Sequence, residues 1–372
     1  MKLTIDASSI VSGGGLTHLI ELINNIKSDS VSIKVIGSEK VLNKLPDDII
    51  KVGHPFLNGS IFKRFYFQLI IIDKLLTNTD ILFSITGDYL GNFRPLVGMS
   101  QNMLLYEKEN LKGFGFEKIK FFINYFRQKI SFKKSDGLIF LSNHALKIIG
   151  SKIDLSSKHT KIVNHGVNHE FFRNNNRSKN LKRKFLYVSS FHYYKNQLEV
   201  IKAFNLLRTK HPNINLTLVG NFINKSYKFK ILKLIQKSNS KNWIKIYDNV
   251  NYNEIKKFYE NSDLIVFASS CENMPLILIE SMASAKPILC SNKPPMTEFL
   301  PKINFYFDPK DVNSIYNSLL KAIETNENEL MKISTTNLSQ SKKYNWDSTA
   351  FETLKFIELV FNNYNIINNG KK

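Results

Sequence analysis

The chain is short of several things that would otherwise settle its class. Its 372 residues include only two cysteines, Cys271 and Cys290, which fit neither a metal-binding spacing nor a disulfide framework and suit a reducing cytosol. Cys271 reads as a small core residue. No long uncharged apolar run occurs; Phe67-Gln68-Leu69-Ile70-Ile71-Ile72 is stopped by Asp73-Lys74, so no membrane-spanning helix is expected. The start, Met1-Lys2-Leu3-Thr4-Ile5-Asp6, has no apolar core of the kind a secretion signal needs, and none is expected. There is no Asp-x-Asp triplet, and the histidines are not paired with acids at helical or hairpin spacing, so no metal seat is expected. Acidic residues are scarce as well. Lys and Arg outnumber Asp and Glu by 52 to 31, giving a net charge of +21. Such a surface attracts anions, whether nucleic acid, anionic membrane or phosphorylated substrate.

What is present is an alternation of short branched runs and amphipathic stretches, long enough for two domains of ordinary size. With 43% hydrophobic and 22% charged residues the chain is globular. Leu3–Asp6 reads as a first strand, followed by Ser12-Gly13-Gly14-Gly15 and a helix with Leu16, Leu19, Ile20, Ile23 and Ile26 at helical spacing. Glycines at such a corner let backbone amides approach a phosphate. They also make a plain tight turn, and they are not the full dinucleotide fingerprint, which weakens an NAD reading. Further strands are read at 31–36, 81–84 and 96–100, the last followed by Gln101-Asn102-Met103. Strand-then-turn units follow at 137–144 and 161–167. The polar, aperiodic stretch 173–184 reads as an interdomain linker. The pattern restarts at Phe185–Ser190, followed by Phe191-His192-Tyr193-Tyr194-Lys195-Asn196-Gln197 and a helix. Next come a strand ending at Gly220 with its glycine turn, a strand at 244–247, a helix from Asn253 to Ser262, and a strand at 286–291. Alternation on either side of one linker implies two doubly wound α/β domains.

The most informative stretch is Ser269 to Ser284. It follows Asp263-Leu264-Ile265-Val266-Phe267-Ala268, short and branched enough for a buried strand. Pro275 is expected as the first residue of a helix, whose free amides make a site for an anionic group such as phosphate. Glu280 stands in an otherwise apolar helix, where a carboxylate is costly unless hydrogen-bonded. Vicinal hydroxyls of a ribose supply two donors; a lysine partner for Glu280, with Glu272 solvated in its loop, is the plainer alternative.

Glu272, seven intervening residues, Glu280 and then Ser-Met-Ala-Ser-Ala-Lys-Pro-Ile resemble the donor-site signature of group 1 (family 4) retaining glycosyltransferases. The Glu-Asn-Met-Pro variant resembles a subset lacking the more usual Gly-Phe-Gly. The resemblance implies a GT-B-like fold: two doubly wound Rossmann-like domains facing across a cleft. It places an acceptor-binding domain at 1–172, joined by a C-terminal helix at 346–366, and a nucleotide-sugar-binding domain at 184–345. It implies that Glu280 binds the nucleotide ribose, that Lys195 holds the diphosphate, and that Glu272 lies beside the donor sugar and phosphate. Lys195 and Glu272 are the catalytic candidates. Gly14, Gly15, Gly220, Asn273, Met274 and Leu276 complete the donor set. Gln101 and Asn102 lie on the acceptor side, with Asn102 where the family often carries a catalytic His. His165 replaces the Asn of the family's hinge segment, and Phe191 and His192 occupy a zone where an Arg is frequent. A solvated lysine at a helix start is the plainer reading of Lys195.

The expected activity is transfer of a sugar from a nucleotide-sugar to a polysaccharide or lipid-linked glycan acceptor, with retention, in surface polysaccharide synthesis such as O-antigen, capsule or lipopolysaccharide. No cofactor and no metal are expected beyond the nucleotide-sugar. The stretch Lys112 to Lys134 carries seven Lys/Arg against one Glu, interleaved with aromatics. It reads either as an element that attaches a cytoplasmic protein to an anionic membrane surface or as a core helix with a solvated basic side. No nucleic-acid partner is expected, because no recognisable module accompanies the charge. The rival from another class is a basic membrane- or nucleic-acid-binding module with a degenerate nucleotide cleft.

Overall fold

A computed structural model describes residues 1–28, 30–115, 117–172 and 184–369. The chain divides into two compact units. The first comprises Met1–Tyr106, Phe116–Gly166 and Asn345–Lys372, and the second Glu107–Gly115 and Val167–Tyr344.

In the first unit the strands are β1 Lys2–Asp6, β2 Ser32–Ile36, β3 Ile50–Val52, β4 Ile81–Ser84, β5 Leu96–Met99, β6 Gly137–Phe140 and β7 His159–Ile162. They form one seven-stranded sheet in the order β3-β2-β1-β4-β5-β6-β7, with all pairings parallel. Ile5 lies opposite Val35 on one side and Phe83 on the other. β4, β5 and β6 are buried along their whole length, as expected of parallel strands covered on both faces. The final helix, Trp346–Asn369, belongs to this unit. Thr349 donates to the Asn164 carbonyl at 2.8 Å, and a Cβ on Gly137 would lie 2.6 Å from Val360, so β6 and the helix pack as closely as a missing side chain allows.

The second unit holds β8 Lys184–Val188, β9 Asn215–Val219, β10 Ile244–Tyr247, β11 Leu264–Phe267, β12 Ile288–Ser291 and β13 Phe305–Phe307. Its parallel sheet runs β10-β9-β8-β11-β12-β13. Strand order reverses between β1 and β4 in the first sheet and between β8 and β11 in the second. At such a switch point the loops leaving the carboxyl ends of adjacent strands diverge and open a crevice. β8 leads to Lys195 and β11 leads to Glu272.

Several sequence expectations need correction. The corner after β1 is not a three-glycine loop, because the helix Gly14–Asn25 takes Gly14 and Gly15 into its first turn and leaves Gly13 as its cap at φ 76°. Pro275 is the cap and not the first residue of its helix: its ψ of 96° is extended, and the helix runs Leu276–Ala283. The stretch from Lys112 to Lys134 is not one element. Glu107–Gly115 groups with the second unit, and the helix begins at Glu117. Val167–Phe172 also groups with the second unit, not the first. β3 and β13, three residues each, were too short to stand out in the sequence. Of the expected linker 173–184 only Lys184 is among the described residues, where it opens β8.

Candidate active site

The site begins with how the chain leaves β8. A short 3-10 turn, Tyr193–Lys195, runs into Asn196 in the left-handed conformation at φ 54°, and the helix Gln197–Arg208 follows. Asparagine is among the few residues that adopt this conformation at low cost, and here its side chain also ties the turn to the sheet. It donates to the Tyr194 carbonyl at 3.0 Å and to the Ala268 carbonyl at 2.7 Å. The Tyr187 hydroxyl donates to the Lys195 carbonyl at 2.6 Å, and the Ser270 amide donates to the Tyr194 carbonyl at 2.8 Å. The corners after β8 and β11 are therefore one hydrogen-bonded piece.

That piece brings Lys195 and Glu272 into contact. The Lys195 ammonium donates to a Glu272 carboxylate oxygen, and the two side chains are 7% and 15% exposed. The ammonium also lies 5.0 Å from the centre of the Tyr194 ring and 5.8 Å from that of Phe267. Burial by itself would lower the Lys195 pKa. The Glu272 charge and hydrogen bond outweigh it, and the group ends above its ordinary value, fully cationic at neutral pH. A buried ion pair is weak evidence of stabilisation, since desolvating both charges costs about as much as their attraction returns. The solvated-lysine reading of Lys195 does not survive its 6% exposure.

Glu280 lies on the helix that β11 feeds, and it is 5% exposed. Among the described residues its side-chain partner is neither a lysine nor a backbone group. The Tyr252 hydroxyl donates to Oε1 at 2.8 Å. Burial raises its carboxyl, the Tyr252 bond pulls it down and the nearby Glu170 charge pushes it up, and together they leave it at about 7. One neutral hydroxyl does not saturate a carboxylate, which has about four acceptor positions. Phe171 packs edge-on against Tyr252 and Tyr259 with ring centres 5.6 and 5.9 Å away, and so walls this end of the site.

Between the two acids, Asn273 and Met274 are buried, while Leu276 is half-buried as the first helical residue. Gly220 ends β9 at φ 148°, and a Cβ there would lie 2.1 Å from the Ser189 carbonyl oxygen. The need for glycine at this position is therefore backbone packing between the ends of β8 and β9.

Sequence reasoning missed the segment Glu107–Gly115. Ser270 donates to Asn110 Oδ1 at 3.0 Å, and Lys310 donates to the same oxygen at 3.3 Å. Glu107 hydrogen-bonds the Cys271 thiol, whose pKa rises, through burial first and Glu107 second. Phe114 stacks near His192 at 4.4 Å and Tyr194 at 6.5 Å. Gly113, at φ 91°, passes so close to Tyr193 that a Cβ would lie 2.6 Å from its ring. Nothing in the local pattern points to this, since the contacts join residues far apart in sequence. His192 does not replace the missing arginine as a cation. Burial and Lys195 lower it to about 4, and its Nδ1 accepts from the Tyr193 amide at 3.2 Å.

The remaining expected residues lie in the first unit. Gly14 and Gly15 open their helix beside Gln101: a Cβ on Gly15 would lie 2.9 Å from Gln101 Oε1. Asn102 is exposed and caps a short 3-10 turn, its Oδ1 accepting from the Leu104 amide at 3.0 Å. A separate cavity of about 550 Å³ near the amino ends of β5 to β7 is lined by Arg94, Lys134 and Lys158. Those cations are already engaged by Asp136 and by backbone carbonyls, so it is not a comparable candidate. Among the described residues no group of three or more His, Cys, Asp and Glu is arranged to hold a metal ion.

Residues 168–337 match the family described as Glycosyl transferases group 1. None of the curated proteins matches the chain. Among solved structures, sucrose-phosphate synthase from Thermosynechococcus elongatus superimposes with a TM-score of 0.77 at 13% identity, over 97% of this chain and 99% of that one. Anabaena Alr3699/HepE, in complex with UDP and glucose, gives 0.72 at 15% identity over 96% and 99%. WaaG, a glycosyltransferase involved in lipopolysaccharide biosynthesis, gives 0.72 at 13% identity over 96% and 99%. Identities this low speak to the fold. With Lys195, Glu272 and Glu280 all inside the matched segment, the chain resembles glycosyl transferases group 1 over residues 168–337 and has a GT-B-like α/β fold of two parallel sheets along nearly its whole length.

Proposed function

We propose that the chain is a retaining, metal-independent glycosyltransferase that moves a sugar from a nucleotide-sugar to a glycan or lipid-linked acceptor in surface polysaccharide synthesis. The observation that carries this reading is the buried Lys195–Glu272 pair at the β8/β11 switch point, fixed to the loop and helix that carry Glu280. Anabaena Alr3699/HepE, a similar fold, has been solved both with UDP and glucose and with UDP-glucose, which supports the substrate class.

In this reading Glu280 accepts from the ribose hydroxyls beside the Tyr252 bond. Lys195 exchanges Glu272 for the diphosphate, a task suited to a mobile point charge. Amides at Asn273, Met274 and Leu276 add donors for the phosphate and sugar, and Gly220 keeps the end of β9 close; Gly14 and Gly15 offer amides of the first unit to an anionic group. Gln101 and Asn102 serve the acceptor. The bond from the anomeric carbon to the phosphate oxygen breaks while the acceptor oxygen bonds to the same face. The acceptor proton passes to the departing phosphate, and the developing charge is met by preorganised donors. Glu272, released from Lys195, steadies the sugar and its developing positive charge, and does not attack the carbon.

The test is thermal shift against a panel of UDP-, GDP- and other nucleotide-sugars, followed by product analysis with lipid extracts in excess EDTA. We expect stabilisation by one nucleotide class and a product with the donor's anomeric configuration. Activity lost on chelation and restored by magnesium or manganese overturns the metal-free step. A covalent sugar adduct on Glu272 overturns the front-face step. Stabilisation by no member of the panel, with NADH or nucleic acid bound instead, overturns the reading as a whole.

A further inference from the structure

The first unit carries two helices that face the wrong way for a soluble protein. In the helix Glu117–Lys134 the buried residues are Gln128, Ser131 and Phe132. The apolar residues Ile119, Phe122, Ile123, Phe126 and Ile130 are all exposed, Ile119 by 59% and Phe122 by 54%. At about 100° per residue these five fall in one arc about 100° wide, opposite the buried side. The same turn count puts Lys118 and Lys129 along one flank of the stripe, Lys120 on the other, and Lys133 at its C-terminal end.

A second helical stretch repeats the arrangement. In Ile61–Tyr66 and its continuation through Phe67–Ile71, Phe67 and Gln68 point inward, while Phe62, Phe65, Tyr66, Leu69 and Ile70 are exposed, Phe62 by 82%. Their spacing of 3, 4, 7 and 8 residues from Phe62 is again a single face. The two stretches meet where the Arg127 guanidinium lies 5.9 Å from the Phe65 ring. Arg127 is paired with Asp88 at 3.0 Å and so serves the protein itself. Scattered apolar residues on a surface need no explanation, but two adjoining stripes of five mark a contact surface.

We infer that this two-helix face seats on an anionic lipid bilayer, its aromatic and aliphatic residues entering the headgroup boundary and its flanking lysines contacting anionic headgroups. An apolar stripe bordered by lysine is the pattern of a helix lying in the membrane interface. A duplex or other polyphosphate would leave the apolar centre of the face uncovered. A second copy would cover it, but a self-complementary contact brings the same lysines of two chains of net charge +21 against each other. The inference is independent of the donor-site reading, and its test needs no nucleotide-sugar.

The full chain is to be floated with vesicles of neutral phosphatidylcholine alone or mixed with an anionic phospholipid, at several salt concentrations. Binding is expected on the anionic vesicles only, falling steeply with salt. Replacing Lys118, Lys120 and Lys129 together by Gln should weaken it about a hundredfold, and replacing Phe62 and Phe122 together by Ser about tenfold or more, with unfolding midpoints unchanged because all five side chains lie at the surface. A Phe122→Trp variant gives a second reading. Both natural tryptophans, Trp243 and Trp346, are 6% exposed, so new quenching by brominated lipid reports insertion at this face. Equal binding to neutral and anionic vesicles, no binding, or no quenching overturns the inference. So does a result in which the serine variant abolishes self-association while vesicle binding persists, or in which the lysine variant loses only DNA retention.

Discussion

The two units turn their first strand into a helix by opposite means. After β1 the chain uses glycine: Gly13 caps the helix at φ 76° with open space around it, and Gly14 and Gly15 leave backbone amides near the surface. After β8 it uses bulk. An aromatic turn with a left-handed Asn196 holds a buried ammonium against a carboxylate, sealed by hydrogen bonds to β11 and its loop. The two corners occupy equivalent topological places, beside the strand-order reversal of their sheets. One offers only dipoles and the other a whole charge. In a low-dielectric setting a charge is worth more than an amide, and it has to be supported more heavily; the glycine corner needs little support.

The largest break in this comparison should come from Lys195→Ala. It leaves the Glu272 carboxylate partly buried with no cation, a loss of roughly 3–5 kcal/mol for such pairs, and it removes the charge proposed to meet the diphosphate. Chemical denaturation should show the destabilisation, and nucleoside diphosphate titration should show the lost affinity. A variant as stable as the parent would mean the pair is not held as described. The glycines sharpen the contrast next. Gly220→Ala would force a Cβ to 2.1 Å from the Ser189 carbonyl oxygen at φ 148°, and we expect about 3 kcal/mol of destabilisation. Gly13→Ala meets no atom within 4 Å and should cost only about 1 kcal/mol, from backbone strain alone. Equal costs in urea unfolding would refute the distinction between packing and strain.

Glu280→Gln tests the acid end of the supported corner. Folding raises the Glu280 pKa from 4.5 to about 7, so between those values the native state keeps a proton that the unfolded chain has released. The associated stability is full below about pH 4.5 and is lost as pH rises through 7. Glu280→Gln should remove this dependence and unfold later than the parent at pH 8, while matching it more closely at pH 5. Nucleotide binding should run the other way. Ribose hydroxyls donate to the ionised form, so parental affinity should rise through pH 7, and above it the variant should bind about ten- to a hundredfold more weakly, at roughly 1.5–3 kcal/mol for a charged hydrogen bond. Calorimetric titration at pH 6 and pH 8.5 would show either that crossing or a flat parent that refutes it. The smallest effect is expected at Asn102→Ala, about 1 kcal/mol or less for an exposed cap, read by thermal melting.

Much of the corner after β11, the proposed donor site, was legible in the linear sequence because its signals are local. An apolar run ending at Ala268, a proline before a helix, and one acid among Leu276, Ile277, Leu278, Ile279 and Met282 give a strand, a turn and a buried carboxylate without any knowledge of distant residues. The same local reasoning misplaced the start of two helices. Whether Gly14 or Pro275 counts as the first helical residue depends on the ψ of one residue, and propensity does not resolve that.

The sequence alone determined the class of the fold and the acids and lysine worth watching, because hydrophobic period and residue chemistry are carried by neighbours along the chain. Tertiary structure alone decided what those residues touch. It paired Lys195 with Glu272, 77 residues apart, and gave Glu280 a tyrosine instead of a lysine. It brought Asn110 to Ser270 across 160 residues, and it turned the apolar stripes of two helices outward where their period by itself would have put them in the core. Contacts of that range depend on strand order and on which face a helix presents to its sheet. Both are settled when the whole chain packs, since a helical period fixes which residues share a face but leaves open what that face meets.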